Sequence, residues 1–131
     1  MGLDQWAYKT KNKFSRPVDF HDEVNQAQEK EDGEIVEIMY WRKHPNLHGW
    51  MEQLYFSKGG EADSFNCRPV ELTREDLNEL ASDIIDGKLP STSGFFFGES
   101  DGTEFDGDLR FIKEAIQSID EGYTVFYDSW W

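Results

Sequence analysis

The chain is short of cysteine, histidine and positive charge and has no long apolar run, and each shortage excludes something. One cysteine in 131 residues, Cys67, rules out an internal disulfide, which suits a reducing cytoplasm. That cysteine and three dispersed histidines cannot supply the ligand spacings of a zinc module, so no metal is expected. No stretch approaches the roughly 18–20 apolar residues that cross a bilayer, and the opening MGLDQWAYK lacks a signal-peptide pattern. A cytoplasmic protein without membrane contact is therefore expected. Lys and Arg number 13 against 27 Asp and Glu, a net charge of -14. A surface so negative repels duplex DNA, RNA and anionic lipid, so no direct nucleic-acid partner is expected. Phosphate-cradling GxxxxGK[ST], dinucleotide-binding GxGxxG and GxSxG elbows are all missing, so no cofactor is expected and no reaction is indicated.

Aromatic residues are plentiful. Five Trp, five Tyr and ten Phe make 15% of the chain, too many for a disordered acidic tail. A chain of this length forms one domain, 1–131, and buries roughly two thirds of the surface its unfolded form exposes. Charge is uneven. Residues 1–16 hold Lys9, Lys11, Lys13 and Arg16 against Asp4, whereas the rest is strongly acidic. The four cations lie among Trp6, Tyr8 and Phe14 and read as a solvated strand face rather than a basic arm.

Periodicity outlines the fold. LDQWAYKTK alternates as a first strand, with Leu3, Gln5 and Ala7 opposite Asp4, Trp6 and Tyr8. Residues 17–34 are acidic, poor in apolar side chains and carry an Asp-Gly turn; they read as a mobile loop with a short helical turn at 21–29. EIVEIMYWRK is the clearest strand, with Val36, Ile38 and Tyr40 as its core face and Arg42 at the end of that stripe. Three amphipathic helices are expected. The first covers 46–58 with Asn46 as N-cap, the second follows Thr73 and stops at Gly87, and the third covers 107–121 and ends at Gly122. Short strands fall at 65–72, 94–98 and 123–131. The expected class is α+β (mixed α/β), a single domain with a mixed sheet of about five strands and about three helices.

The densest polar and aromatic cluster runs from Tyr40 through Trp41, Arg42 and His48 to Trp50, where a strand end leads into a helix N-terminus. Such junctions gather backbone N–H groups and strand-end side chains around one point and commonly hold anions. Arg42 would supply a bidentate fork, the Trp rings a stacking face, and His48 a hydrogen bond or a proton. His44 and His48 have a metal-ligand spacing on a helix, but Pro45 pushes His44 out of that helix. The carboxylates of 99–108 match no EF-hand pattern and read as a solvated loop capping the third helix. Ser91, Thr92 and Ser93 read as an ordinary turn. Cys67 reads as buried and inert, although Arg68 beside it favours the thiolate.

Four blocks together resemble small uncharacterised proteins of tailed bacteriophages, cyanophages among them. These are Met1-Gly2-Leu3-Asp4, Tyr40-Trp41-Arg42-Lys43 with His48 and Trp50, Gly94-Phe95-Phe96-Phe97-Gly98, and Tyr127-Asp128-Ser129-Trp130-Trp131. The resemblance implies a phage origin and the cytoplasm of an infected host, and supplies no reaction. It adds Phe96, Tyr127 and Trp130 to the candidate pocket. The first functional expectation is a pocket for a small anionic or ring-containing ligand, formed by Tyr40, Trp41, Arg42, His48, Trp50, Phe96, Tyr127 and Trp130, with enzymatic activity left open. The alternative is an acidic module that binds a host protein, in its sharpest form as a nucleic-acid mimic. A structural virion component ranks last, because the chain shows no repeat or fibre pattern.

Overall fold

The computed structural model describes residues 3–28, 34–90 and 105–131. In chain order these form β1 (Asp4–Thr10), α1 (His21–Gln28), β2 (Ile35–Arg42), α2 (Pro45–Ser57), β3 (Val70–Leu72), α3 (Arg74–Ile85), α4 (Phe105–Asp120) and β4 (Thr124–Trp130). The class is α+β in one compact domain, but its inventory differs from the expected one. Among the described residues there are four strands and four helices, and every strand pair is antiparallel. Among the described residues the sheet is therefore antiparallel throughout, not mixed as expected. The expected strand at 94–98 lies outside the described residues.

Strand order is β2-β1-β4-β3, which joins the first and last strands of the chain at the centre of the sheet. Residues 65–72 keep only three strand positions. Cys67 sits at φ 60, a left-handed conformation that no strand contains, and Pro69 has no N–H to give a ladder. That stretch is held from outside instead. The Cys67 amide donates to the Ser129 carbonyl at 3.0 Å, and Asn66 bonds the Trp131 backbone in both directions at 2.9 and 3.0 Å. Within the acidic stretch 17–34, residues 21–28 form α1 and Val18 bridges Val70. Cys67 itself is exposed, contrary to its expected burial, because it lies in this loop and not in a strand.

Helix starts follow local chemistry. Thr73 closes a capping box over α3: its hydroxyl accepts the Asp76 amide, and the Asp76 carboxylate accepts the Thr73 amide, so two donors with no intrahelical partner are satisfied. α2 begins one residue before the expected Asn46 cap, with His44 as N-cap and Pro45 in the first turn. Proline suits that position because its missing N–H would have had no partner there.

The sheet has two unlike faces. Inward, Ala7, Trp41, Tyr127, Val125 and Val70 join Leu47, Met51 and Tyr55 of α2, Leu77 and Leu80 of α3, and Phe111, Ile112 and Ala115 of α4 in one apolar core. Outward, Phe126 packs against Tyr8, Phe14 and Phe20 at ring separations of 5.3, 5.6 and 5.5 Å. Phe20 leads directly into α1, so this half of the outer face is covered. At the other end of the same strands Tyr40, Arg42 and Trp130 are exposed on the outer face.

A bulge decides which β2 side chains face which way. Ala7 pairs with Met39 but Tyr8 pairs with Glu37, leaving Ile38 as an extra residue. An extra residue shifts the alternation of a strand by one. Trp41 is consequently buried, whereas Tyr40 and Arg42 are exposed. The expected core face of Val36, Ile38, Tyr40 and Arg42 is therefore corrected: at this end of β2 the inward residues are Trp41 and Met39. Apolar side chains on both sides of the strand hid the shift.

Candidate binding face

The cluster from Tyr40 to Trp50 is divided by the pleat of β2. Trp41 points inward and lies edge-on to Phe111 at 5.0 Å. Its indole N–H donates to Asp108 Oδ1 at 2.8 Å, and Asp108 Oδ2 lies 2.7 Å from His44 Nε2. The His44 and Asp108 side chains are only 4% and 3% exposed, so this carboxylate is sealed inside with both oxygens engaged. Gln5 completes the junction. Its Oε1 accepts the His44 amide at 2.8 Å and its Nε2 donates to the His44 carbonyl at 3.1 Å. One buried side-chain amide thus holds both backbone groups of the residue that turns β2 into α2, as buried polar groups require.

His48 is buried one turn into α2. Its Nδ1 shares a hydrogen bond of 2.7 Å with the Tyr127 hydroxyl, and its ring lies edge-on to Trp131 at 4.6 Å. Burial pushes the His48 pKa down to about 4, so the ring is neutral at neutral pH. Burial also drives the Tyr127 phenol well above its ordinary value, while Gln5 and Ser129 near its hydroxyl pull the other way. The phenol therefore stays protonated. Neither group is placed to reach a ligand or to exchange a proton with one.

The outer face at the same end of the sheet is accessible. The register sets Arg42, Asp4 and Trp130 side by side in one cross-strand row and Tyr40, Trp6 and Asp128 in the next. Tyr40 donates its hydroxyl to Asp4 Oδ1 at 2.5 Å, and the Arg42 guanidinium lies 3.9 Å from the same oxygen. Trp6 and Tyr40 rings lie 5.7 Å apart at 43°. Trp130 is 59% exposed and Tyr40 44%. Asp128 accepts the Ser129 amide at 2.8 Å, yet burial raises its pKa to about 6, with His21 opposing. Next to it, burial and then the Asp128 and Glu37 charges push Tyr8 up to about 12. The result is two exposed rings, Tyr40 and Trp130, and the exposed Arg42 cation beside half-buried Trp6, Asp4 and Asp128 on one half-face.

Of the eight predicted pocket residues, the seven that are described do not meet at one place. Tyr40, Arg42 and Trp130 share the outer face; Trp41, His48 and Tyr127 are interior; Phe96 lies outside the described residues. Trp50 is apart from both groups. Its N–H donates to Asp83 at 2.9 Å, and it lines a groove of about 440 Å³ between α2 and α3 with Glu79, Asp83 and Lys88. Among the described residues no three His, Cys, Asp or Glu side chains converge as a metal site would require. Sequence reasoning missed Asp4, Gln5, Trp6, His44 and Asp108 as members of these clusters. Only Trp6 and Asp4 carried a usable signal, since strand alternation already set them on the side opposite Gln5 and Ala7.

No helix among the described residues is long and apolar enough to cross a membrane. No protein-family model matches the chain, and neither a curated protein nor a solved structure is similar to it.

Proposed function

We propose that the chain is a protein-interaction module that engages its partner through the open half of the outer sheet face. The observation that carries this reading is the exposed set of Tyr40, Trp130 and Arg42, with half-buried Trp6 between them, arranged over three adjacent strands. Small-molecule sites are concave and enclose most of their ligand. This face is an open sheet surface, and its composition of Trp, Tyr and Arg is that of protein-interface anchors. Exposed aromatic area of this kind marks a contact site more often than an inert surface. Asp4 supports the arrangement from beneath, holding the Tyr40 hydroxyl and lying beside Arg42.

The net charge of -14 favours a partner with a basic rim around the contact, because complementary potentials accelerate encounter. The resemblance to bacteriophage proteins makes a host protein the first place to look. Site-specific photo-crosslinking tests the reading. A benzophenone side chain at position 130 should give a defined crosslinked partner, whereas the same group at Ile85, exposed on α3, should give none. The purified partner should then lose about tenfold or more in affinity for Trp130→Ala or Arg42→Ala. Equal crosslinking at both positions, or unchanged affinity, refutes the proposal.

A further inference from the structure

The two edges of the sheet differ. At one edge β3 is three residues long and covered. Val18 bridges Val70, and the Glu71 amide donates to the Pro17 carbonyl at 2.9 Å. At the other edge β2 is eight residues long. Among the described residues no strand but β1 pairs with it, and no loop backbone bonds to it. Natural edges are commonly guarded by shortness, proline, lysine or a bulge. Of these, IVEIMYWR has only the bulge at Ile38. Ile35, Val36, Ile38 and Met39 along this edge are only half-buried.

The bulge gives β2 a symmetric pattern. Before it, Ile35 and Glu37 are on the outer face and Val36 on the inner; after it, Tyr40 and Arg42 are outer and Met39 and Trp41 inner. Antiparallel strands set residues of one face opposite each other. A second β2, antiparallel about the Ile38–Met39 midpoint, meets that rule on both sides of the bulge. Ile35 then faces Arg42, Val36 faces Trp41, and Glu37 faces Tyr40. Charge matches in the same arrangement. Glu34 and Glu37 are exposed at one end of the strand, Arg42 and Lys43 at the other, and the two-fold axis brings each end to its opposite. Glu37 lies diagonal to the second copy's Arg42, within reach of long side chains. Arg42 is 58% exposed, and its Nε is 3.9 Å from Asp4 Oδ1, too far for a hydrogen bond. A parallel arrangement in register would set like charges together.

We propose that the chain associates with a second copy of itself through β2, antiparallel, joining two four-stranded sheets into one. The net charge of -14 opposes this at long range, but such repulsion is screened beyond about 8 Å at physiological salt. The Glu37–Arg42 pairs meet in contact. An interface of this kind is small, so a dissociation constant on the order of 10–100 μM is expected.

Sedimentation equilibrium of the full chain at about 0.15 M salt reads that constant. Glu37→Arg and Arg42→Glu each place like charges across the axis, and each alone should weaken self-association about tenfold or more. An equimolar mixture of these two variants restores opposite charges at both contacts and should associate about as tightly as the original chain. Lys113→Glu, the same charge change as Arg42→Glu but exposed on α4, should leave association unchanged. So should Trp130→Ala, two strands away on β4, which separates this association from the partner contact proposed above. The proposal is overturned if the chain stays monomeric to about 1 mM, or if the mixture associates no better than its two components. It is equally overturned if Lys113→Glu weakens association as much as Arg42→Glu.

Discussion

The two faces of the sheet, at the end where β1 starts and β2 and β4 finish, are built from similar residues with opposite fates. On the inner face Trp41, Gln5 and Ser129 form one cross-strand row, and His44, His48, Asp108 and Tyr127 lie behind it in a closed polar network. On the outer face Tyr40, Trp130 and Arg42 carry the same kinds of chemistry into solvent, with Trp6 and Asp4 half-buried beside them. Aromatic, acidic and basic side chains gathered at one strand end therefore do not by themselves make a pocket. Buried and bonded to one another, they form a structural joint, whereas Tyr40, Trp130 and Arg42 face solvent.

Four changes break or sharpen this contrast. The largest effect is expected from Asp108→Ala, which leaves the Trp41 N–H and His44 Nε2 facing a void inside the protein. Loss of one partner from a buried polar pair costs about 3–5 kcal/mol, measurable as a lowered urea midpoint.

Asp128 on the outer side tests the electrostatics. Its folded pKa of about 6 exceeds the ordinary 3.8, so between these values the folded chain holds more protons and gains stability as pH falls. His48 acts in the opposite sense. Its folded pKa of about 4 lies below 6.5, so the unfolded chain holds more protons there and stability is lost as pH falls from 6.5 towards 4. The two slopes oppose each other in the unmodified chain. Asp128→Asn should raise stability at pH 7, on the order of 1–2 kcal/mol once its partial exposure is allowed for. The variant should also show a steeper loss of stability between pH 6.5 and 4, read from denaturant midpoints across that range.

Tyr127→Phe removes the hydroxyl that engages His48 and keeps the ring. A cost of about 1 kcal/mol is expected, with the His48 titration, followed by ring-proton NMR, displaced from its position in the unmodified chain. The smallest effect on folding belongs to Trp130→Ala, about 0.5 kcal/mol or less for an exposed side chain. If that substitution instead unfolds the domain, the outer face is a structural element and the contrast fails.

Much of the fold was legible in the sequence. Alternation located β1, β2 and β4; apolar spacing located α2, α3 and α4; and Thr73, Gly87 and Gly122 marked helix ends, the two glycines adopting φ 69 and 94. The site was much less legible. Arg42 was placed on the core stripe because nothing local reveals that Ile38 bulges, with Ile35, Val36, Ile38 and Met39 supplying apolar side chains to both faces. Asp108 reads as a helix-start acid, and its burial against Trp41 and His44 depends on contacts across 67 and 64 residues.

The sequence by itself determined the α+β class, the positions of most elements, the acidic background and the abundance of rings, because these depend on local periodicity and composition. Only the tertiary structure decided strand order, the inward turn of Trp41 against the outward turn of Arg42, and the gathering of Lys9 and Lys11 over the Tyr123 ring. Each of those outcomes rests on pairing between segments far apart in the chain. The register of β1 against β2 and β4 assigns every side chain to core or solvent, and a single extra residue in one strand is enough to exchange them.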